Sequence, residues 1–263
     1  MGEGRPQTLV HLDVEGGVAT ITLDSPHNRN ALSARLRAEL SESLGNALAD
    51  EHVRVIVLTH RGPVFCAGMD LKESRGSTPP EEGSPGLPAI LEALWTSPKP
   101  VLARLAGPAR AGGLGLVAAC DIAVASDTID LAFPEVRLGV VPALISVTVL
   151  PRMLPRAAHE LFLTGEAFDA HRAVEVGLLN AAVPHAELDD EVRRYTALLL
   201  RGAPEALAAT KEVLRTPPTG SVGEQLAAMD EVSTRHFSSP EGQEGLRAFA
   251  ERRRPEWVPP DNA

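Results

Sequence analysis

The run from Arg104 to Glu135 constrains the fold of this chain more than any other stretch. The apolar residues Pro100 to Leu105 predict a buried strand, and glycines and a proline then interrupt the chain. Leu114 to Cys120 is short, apolar and without polar spacing, which predicts a buried helix. Asp121 to Ala125 predicts a second buried strand. The stretch therefore predicts a strand, a helix opened by glycines, and a further strand.

The glycines Gly112 and Gly113 stand at the predicted start of this helix. Such a helix presents unpaired backbone N–H groups and the positive end of its dipole to whatever lies above them. That terminus suits a phosphate, or a carbonyl oxygen that becomes an anion. Glu135 follows the next strand and Pro134, and we expect its carboxylate to face the same place. We interpret this pairing as the core of an active site.

Repeated strand–helix units surround this stretch and predict an α/β fold. Thr8 to Asp13 and Val18 to Leu23 alternate around two glycines, which predicts a β-hairpin. Ser33 is a credible N-cap for a helix through about Ala49. Ser74 to Leu87, dense in Gly, Pro, Ser and Glu, predicts a mobile insertion beside the site. The remaining predicted strands are Val53–Thr59 and Leu178–Val183, and the remaining predicted helices are Pro88–Thr96, Leu144–Met153, Ala157–Leu163, Ala170–Val176, Glu187–Arg201, Pro204–Arg215, Val222–Phe237 and Pro240–Arg253.

The composition excludes several classes of protein. With 263 residues, the chain is near the upper size for a single core. The net charge of −10 argues against a nucleic-acid partner. No apolar run is long enough for a membrane span, and the polar N-terminus predicts no signal peptide, so we expect a cytoplasmic protein. Cys66 and Cys120 are expected to be buried reduced thiols, and no spacing of residues predicts a metal site.

Several segments follow one another in an order and spacing that a known family shares. They are Arg29-Asn30-Ala31-Leu32, Phe65 to Glu73, Gly107 to Ile122, Pro134-Glu135, Leu163 to Glu166, Ala173 to Leu178, and the ending Phe249 to Pro255. Through them the chain resembles the crotonase family, which is the enoyl-CoA hydratase/isomerase family, over nearly its whole length.

The resemblance implies a ClpP/crotonase-like spiral of ββα repeats, followed by a helical region that builds trimers, often paired into hexamers. We expect the spiral core with the acyl-CoA site in residues 1–186 and the helical oligomerisation region in residues 187–263. The resemblance also implies an acyl-CoA thioester as substrate. Coenzyme A then enters as part of the substrate, and no separate cofactor is expected.

Three residues match the family's catalytic positions. The backbone N–H groups of Met69 and Gly112 match the two donors that stabilise the thioester oxyanion, so the resemblance and the dipole argument name the same helix terminus. Glu135 matches the glutamate that transfers a proton at the α-carbon of the substrate. Burial in an apolar pocket would raise its pKa toward a useful value.

Other residues match the family's binding site for coenzyme A. The backbone of Cys66, Ala67 and Gly68 would flank the adenine, and Asp70 and Leu71 continue the same loop. Basic residues would give an acidic protein a local positive patch for the phosphates, and each is also plausible as a solvated surface charge. The basic candidates are Arg29, Lys72, Arg252, Arg253 and Arg254.

The sequence departs from the family pattern at two places. Gly115 occupies the position where the usual hydratases carry a second glutamate that holds the attacking water. The family's glycine-rich run after the later proline is also missing, since Pro142 is followed by Ala-Leu-Ile-Ser. Hydration of a 2-enoyl-CoA is the favoured reaction, with 3,2-enoyl-CoA isomerisation by the single glutamate, or acyl-CoA binding with little turnover, as alternatives. Arg137, two residues beyond Glu135 and on the same side if this segment is a strand, would tune that carboxylate, meet an acidic acyl group or form a structural salt bridge.

A dinucleotide-binding enzyme is a competing interpretation. Gly113 to Ala118 fits the pattern G-x-G-x-x-G/A after a strand, and Asp130 lies near the expected acidic position. However, the loop before the glycines is longer than the tight turn that this fingerprint needs. A serine hydrolase is disfavoured because no G-x-S-x-G elbow is present.

Overall fold

The computed structural model describes residues 8–70, 72–73 and 86–259. The strands are β1 Val10–Glu15, β2 Val18–Leu23, β3 Val55–His60, β4 Val101–Leu105, β5 Ala109–Arg110, β6 Ile122–Ser126, β7 Asp130–Ala132, β8 Ala167–Asp169 and β9 Ala181–Val183. The helices are α1 Ala34–Ala49, α2 Leu87–Thr96, α3 Gly112–Ala119, α4 Ala143–Val149, α5 Pro155–Thr164, α6 Ala170–Glu175, α7 Leu188–Leu200, α8 Pro204–Arg215, α9 Val222–Ser238 and α10 Pro240–Glu251.

A six-stranded sheet carries the core, in the order β1-β2-β3-β4-β6-β9. Strands β1 and β2 pair antiparallel as the predicted hairpin, and the following strands run parallel. Every residue of β3 is buried. Continuous apolar runs are typical of parallel strands because helices cover both faces of the sheet. The α/β architecture predicted from the sequence is therefore confirmed.

A second sheet of three short strands, in the order β5-β7-β8, lies beside the start of α3. Arg110 pairs with Ala132 in the parallel contact of β5 and β7. The N–H of Ala111 continues this pairing by donating to the carbonyl of Ala132 at 3.2 Å. This small sheet therefore brings the residues just before α3 next to the residues just before Glu135.

Helix α1 follows from its sequence as predicted. The Ser33 hydroxyl accepts a hydrogen bond from the N–H of Leu36 and so caps the first turn. Leu36, Leu40 and Leu44, spaced by four, are buried against the sheet. The helix thereby covers the hairpin end of the core.

Two segments after β7 differ from the sequence expectations. Residues Pro134–Leu138, for which no regular element was predicted, form a short 3₁₀ helix, and Gly139 ends it with a left-handed backbone, φ 73°. The predicted helix from Leu144 to Met153 divides into α4 and a 3₁₀ turn at Leu150–Arg152 that contains Pro151. Proline lacks the N–H that would continue an α-helix. The predicted insertion at Ser74 to Leu87 lies outside the described residues except for its last two positions.

The C-terminal part, from α7 to α10, is helical as predicted. Arg54, at the start of β3, ties it to the sheet by donating to the carbonyls of Gly202 and Trp257. No described helix has the length and apolar character needed to cross a membrane.

Candidate active site

The loop from Cys66 to Asp70 lies against two other segments of the chain. Leu32 forms a parallel bridge with Met69, and its N–H donates to the carbonyl of Gly68 at 2.8 Å. On the other side, the carbonyl of Cys66 accepts from the N–H of Arg110 at 2.9 Å. Burial raises the pKa of the Cys66 thiol to about 12, so this thiol is not a nucleophile. The backbone of the loop, not its side chains, is what these contacts position.

Helix α3 begins directly against this loop. A Cβ at Gly113 would lie 2.7 Å from the carbonyl oxygen of Cys66, and one at Gly112 would lie 3.7 Å from the Cα of Gly68. Glycine is needed at 113, because a side chain there would push the helix away from the loop. No hydrogen bond within the described residues uses the N–H of Met69 or of Gly112. Two neighbouring segments thus offer free backbone donors, which is what an oxyanion hole requires.

Ala111, the residue before α3, has an unusual backbone conformation, with φ 48° and ψ −120°. Positive φ is costly for a residue with a side chain and persists only where its surroundings hold it. Here the neighbours hold it, since its N–H is bonded to Ala132 and its Cβ lies close to Gly68. The strained backbone therefore lies directly before the N-terminus of α3.

Glu135 is the buried acid of this region. It lies in the first turn of the 3₁₀ helix at Pro134–Leu138, just after β7, and is 9% exposed. Its Oε2 atom is fully buried and has no hydrogen-bond partner among the residues that the structure describes. Burial raises the pKa of this carboxyl above its ordinary value, because the charged form loses its hydration. A carboxyl in this state is suited to accepting and returning a proton.

The first turn of α3 offers no second acid. A Cβ at Gly115 would lie 2.6 Å from Cγ2 of Ile145 and 3.5 Å from Cδ2 of Leu91. Ile145, in α4, is buried, and the hydroxyl of Thr148 donates to the carbonyl of Gly115 at 3.1 Å. Helix α4 therefore packs so closely on α3 that a side chain at 115 has no space.

The loop candidates for coenzyme A are partly described. Arg29 is exposed and has a left-handed backbone, φ 60°, and its carbonyl accepts from the N–H of Ala67 at 3.1 Å. Asp70 accepts hydrogen bonds from the Asn28 side chain and from the N–H of Lys72, whose side chain is exposed. Leu71 lies outside the described residues. Arg29 and Lys72 thus flank the loop, and their role in binding stays a prediction.

The C-terminal arginines lie in a different setting. Arg252 ends α10 with a left-handed backbone and is exposed. Both terminal nitrogens of Arg253 bind the carboxylate of Glu244, at 2.6 and 2.9 Å, and its Nε binds Glu251 at 2.6 Å. Two carboxylates of α10 already neutralise Arg253, which weakens its case as a phosphate ligand.

Arg137 lies in the 3₁₀ helix at Pro134–Leu138, so the strand geometry that would put it on the same side as Glu135 is not present. Arg137 is exposed, and its Nε donates to the carbonyl of Thr164 at 2.8 Å. Thr164 is the last residue of α5, where a cation is favourable for the helix dipole. Asp130, the acidic residue of the dinucleotide interpretation, pairs with Arg110 at 2.7 Å.

Sequence reasoning missed three residues that shape the site: Leu32, Ala111 and Ile145. Leu32 and Ala111 lie inside segments that matched the family, but nothing in their identity signals a bridge to Met69 or a positive φ. Ile145 lies in the run after Pro142 that departs from the family pattern. That departure was the only sequence signal for Ile145, and it did not indicate that the Ile145 side chain fills the space at Gly115.

The sequence and the fold of this chain have counterparts among known proteins. The family model described as enoyl-CoA hydratase/isomerase matches residues 13–260. The carnitinyl-CoA dehydratase of Escherichia coli K12 is 36% identical over 255 residues, which cover 94% of this chain and 97% of that protein. A crystal structure of an enoyl-CoA hydratase from Mycobacterium smegmatis has a TM-score of 0.87 at 33% identity, covering 95% of this chain and 99% of the other. Human enoyl-coenzyme A hydratase domain-containing protein 3 gives a TM-score of 0.85 at 30% identity, with 95% and 100% covered.

Proposed function

The chain belongs to the enoyl-CoA hydratase/isomerase family, whose crotonase fold it has, and from this premise we propose that Glu135 transfers a proton at the α-carbon of an acyl-CoA thioester. One observation carries the proposal. Glu135 is a buried carboxyl with an unpartnered Oε2, and it lies three residues after Ala132, whose strand β7 pairs with β5 just before α3. An unpaired buried carboxylate costs folding free energy, so its retention suggests a chemical role.

The N–H groups of Met69 and Gly112 complete the proposed chemistry. When the α-proton leaves, negative charge moves to the thioester oxygen, and both donors would bind that oxygen. One such donor is typically worth about 3 kcal/mol of transition-state stabilisation. Because the donors belong to a fixed loop and a fixed helix terminus, little reorganisation is needed during the reaction.

The overall reaction we favour is reversible addition of water to a 2-enoyl-CoA. The names of the relatives, a hydratase and a dehydratase, support it. In this direction the water oxygen bonds to C3, its proton passes to Glu135, and the electrons of the double bond move to the thioester oxygen. Glu135 then returns the proton to C2, so that one water is added and the carboxylate is regenerated.

Isomerisation of a 3-enoyl-CoA is the second candidate, and the contact between Gly115 and Ile145 favours it. Moving a double bond needs only one proton-transfer group. Glu135 would remove a proton from C2 and return it at C4, with no change of mass. No second acid beside the first turn of α3 is required for this path.

A two-substrate assay separates these candidates. The purified protein receives 2-enoyl-CoA and 3-enoyl-CoA separately, and the products are read by mass. Water gain on the 2-enoyl ester supports hydration, and a shifted double bond without mass change supports isomerisation. Glu135→Gln is expected to lower either rate by about 100-fold to 10,000-fold while CoA-ester binding remains. Glu42→Gln, at an exposed position of α1, is the matched control. A Glu135→Gln protein with the rate of the unaltered enzyme would refute the role of Glu135.

The helical tail supports assembly of identical subunits, and we propose a homotrimer or a dimer of trimers. None of the residues of α9 is buried, although Val222, Leu226 and Phe237 are apolar and largely exposed. An apolar helix face of this kind gains stability when a partner covers it. Light scattering of the purified protein measures the number of subunits directly.

A further inference from the structure

The space beside Gly115 determines which groups can lie next to α3, the helix that carries the proposed Gly112 donor. Gly115 lies three residues after Gly112, so the two positions share a face of α3. A side chain at 115 would therefore extend on the face that carries the free N–H. A Cβ built at Gly115 would lie 2.6 Å from Cγ2 and 3.2 Å from Cβ of Ile145, and 3.5 Å from Cδ2 of Leu91. Aliphatic side chains therefore line α3 at Gly115, three residues after the free N–H of Gly112.

Ile145 is held firmly in this position. It is buried, and its β-branched side chain has few rotamers in a helix. One turn on, the buried Thr148 hydroxyl lies 3.1 Å from the carbonyl of Gly115 and 3.2 Å from that of Ile145. These contacts fasten α4 to α3 at the level of Gly115. The contact is therefore a built feature of the helix pair, not a loose side chain that could swing away.

An aliphatic surface cannot retain a water molecule there. A buried water needs two to four polar partners, and the side chains of Ile145 and Leu91 have none. We propose that Ile145 is a specificity-determining residue that keeps water and any second acid–base group away from the first turn of α3. This inference rests on the proposed function and deepens it: Glu135 alone handles both the α-proton and the reacting water.

The inference has a kinetic consequence for a 3-hydroxyacyl-CoA. Glu135 removes the C2 proton and leaves the enolate with its electron pair on the thioester oxygen. From there the proton returns to C2, or the C3 hydroxyl leaves with a proton as water and the double bond forms. Only the second path needs an acid at the C3 hydroxyl, and Glu135 must then supply it with the proton that it has just taken from C2. With no second acid beside Gly115, return of the proton to C2 should outrun loss of water.

The test measures both paths on one substrate. 3-Hydroxybutyryl-CoA is incubated with the protein in D2O, and mass spectrometry follows deuterium at C2 together with the appearance of the enoyl ester. The ratio of the two rates does not depend on how much of a variant is folded. For the unaltered protein we expect exchange to exceed elimination by about tenfold or more, since a well-placed acid typically contributes 10²–10⁴-fold.

Paired variants test the role of Ile145. In Gly115→Glu/Ile145→Ala the carboxylate gains space, and we expect the ratio to move toward elimination by about 100-fold. Gly115→Gln/Ile145→Ala has the same shape without an ionisable acid and should not reach this shift. Gly115→Glu alone should fail to fold or to move the ratio, because Ile145 still fills the space. Val147→Ala, on the exposed side of α4, is the control for changes in that helix.

Three results would overturn the inference, and a fourth would overturn the proposed function. If Gly115→Glu alone behaves like the double variant, Ile145 does not close the site and the inference is wrong. The same follows if the unaltered protein eliminates water as fast as it exchanges the proton, or if the Glu and Gln double variants behave alike. If the unaltered protein shows neither exchange nor elimination, nor turnover of either enoyl ester, the proposed function itself fails.

Discussion

Helices α3 and α9 differ in how far the rest of the chain covers them. All eight residues of α3 are buried, and three of them are glycines. None of the 17 residues of α9 is buried, although the helix begins with a complete capping box between Ser221 and Glu224. An isolated helix as short and glycine-rich as α3 would not be stable in water. Helix α9 carries its own local start signal but has an apolar face without cover in a single chain.

Helix α3 depends on the core of its own chain, whereas α9 depends on a partner subunit for burial of its apolar face. The core imposes the conformation of α3, so the proposed oxyanion site is only as well formed as the packing around it. Helix α9 can form from local signals, and its apolar face gains burial only when another subunit covers it. We therefore expect damage near α3 to affect folding and activity together, and damage on α9 to affect mainly assembly.

The largest effect is expected from Gly113→Ala, which breaks the packing of α3. The added Cβ would lie 2.7 Å from the carbonyl oxygen and 2.8 Å from the Cβ of Cys66. Relief requires the helix or the loop to move, at about 3 kcal/mol of unfolding free energy. Activity should fall as well, because both proposed oxyanion donors adjoin this contact. Urea denaturation and the enoyl-CoA assay measure the two effects.

Gly45→Ala is the matched control. Gly45 lies within α1, and a Cβ there meets nothing within 4 Å. The substitution should stabilise the protein by about 0.5–1 kcal/mol through helix propensity. If Gly113→Ala and Gly45→Ala have the same effect, the close contact of α3 with the loop does not constrain the fold.

A charge on the apolar face of α9 should act on assembly. Leu226→Asp places a carboxylate at a largely exposed apolar position. If a partner subunit covers this face, burial of the charge should weaken association by about tenfold or more at each interface. The circular dichroism of the subunit should stay unchanged. Analytical ultracentrifugation across a dilution series measures the effect.

Ala228→Asp adds the same charge about 200° around the helix, at another exposed position, and should leave assembly intact. If both variants dissociate equally, the apolar face of α9 is not what holds the subunits together.

Replacing the buried acid should stabilise the fold while it removes activity. Burial raises the pKa of Glu135, so the folded protein holds this proton more tightly than the unfolded chain. The enzyme thus loses stability as pH rises from the unfolded carboxyl's ordinary value of 4.5 through the raised folded value. Glu135→Gln lacks this titration, so its stability advantage should grow over that window and then level off. Urea denaturation of both proteins from pH 4 to pH 8 gives the difference, and an advantage that shrinks with rising pH would contradict this account.

The smallest effect is expected from Ser221→Ala, which removes the cap of α9. The Ser221 hydroxyl accepts from the N–H of Glu224, whose side chain accepts from the N–H of Ser221. Loss of such a cap typically costs about 1 kcal/mol. Ser233→Ala, an exposed position within the same helix, should be neutral or slightly stabilising. Thermal unfolding of the two variants side by side would show a difference only if the cap contributes.

Much of the fold was predictable because its signals are local. The hairpin, the Ser33 cap and the spacing of Leu36, Leu40 and Leu44 follow from short-range chemistry, and the structure confirms them. No regular element was predicted for the segment after Pro134, because a 3₁₀ turn ending at Gly139 has no distinct periodicity. The site residues Glu135, Met69 and Gly112 came from motif resemblance together with the helix-terminus argument, and their catalytic roles stay predictions.

The sequence by itself determined which segments are apolar, where glycines interrupt them and that Glu135 follows the central helix and the next strand. Only the tertiary structure decided that Glu135 is buried with an unpaired oxygen and that Ile145 fills the space at Gly115. The physical reason is distance along the chain. Ile145 and Gly115 are 30 residues apart, and the contact depends on how closely two helices pack, which no local pattern records.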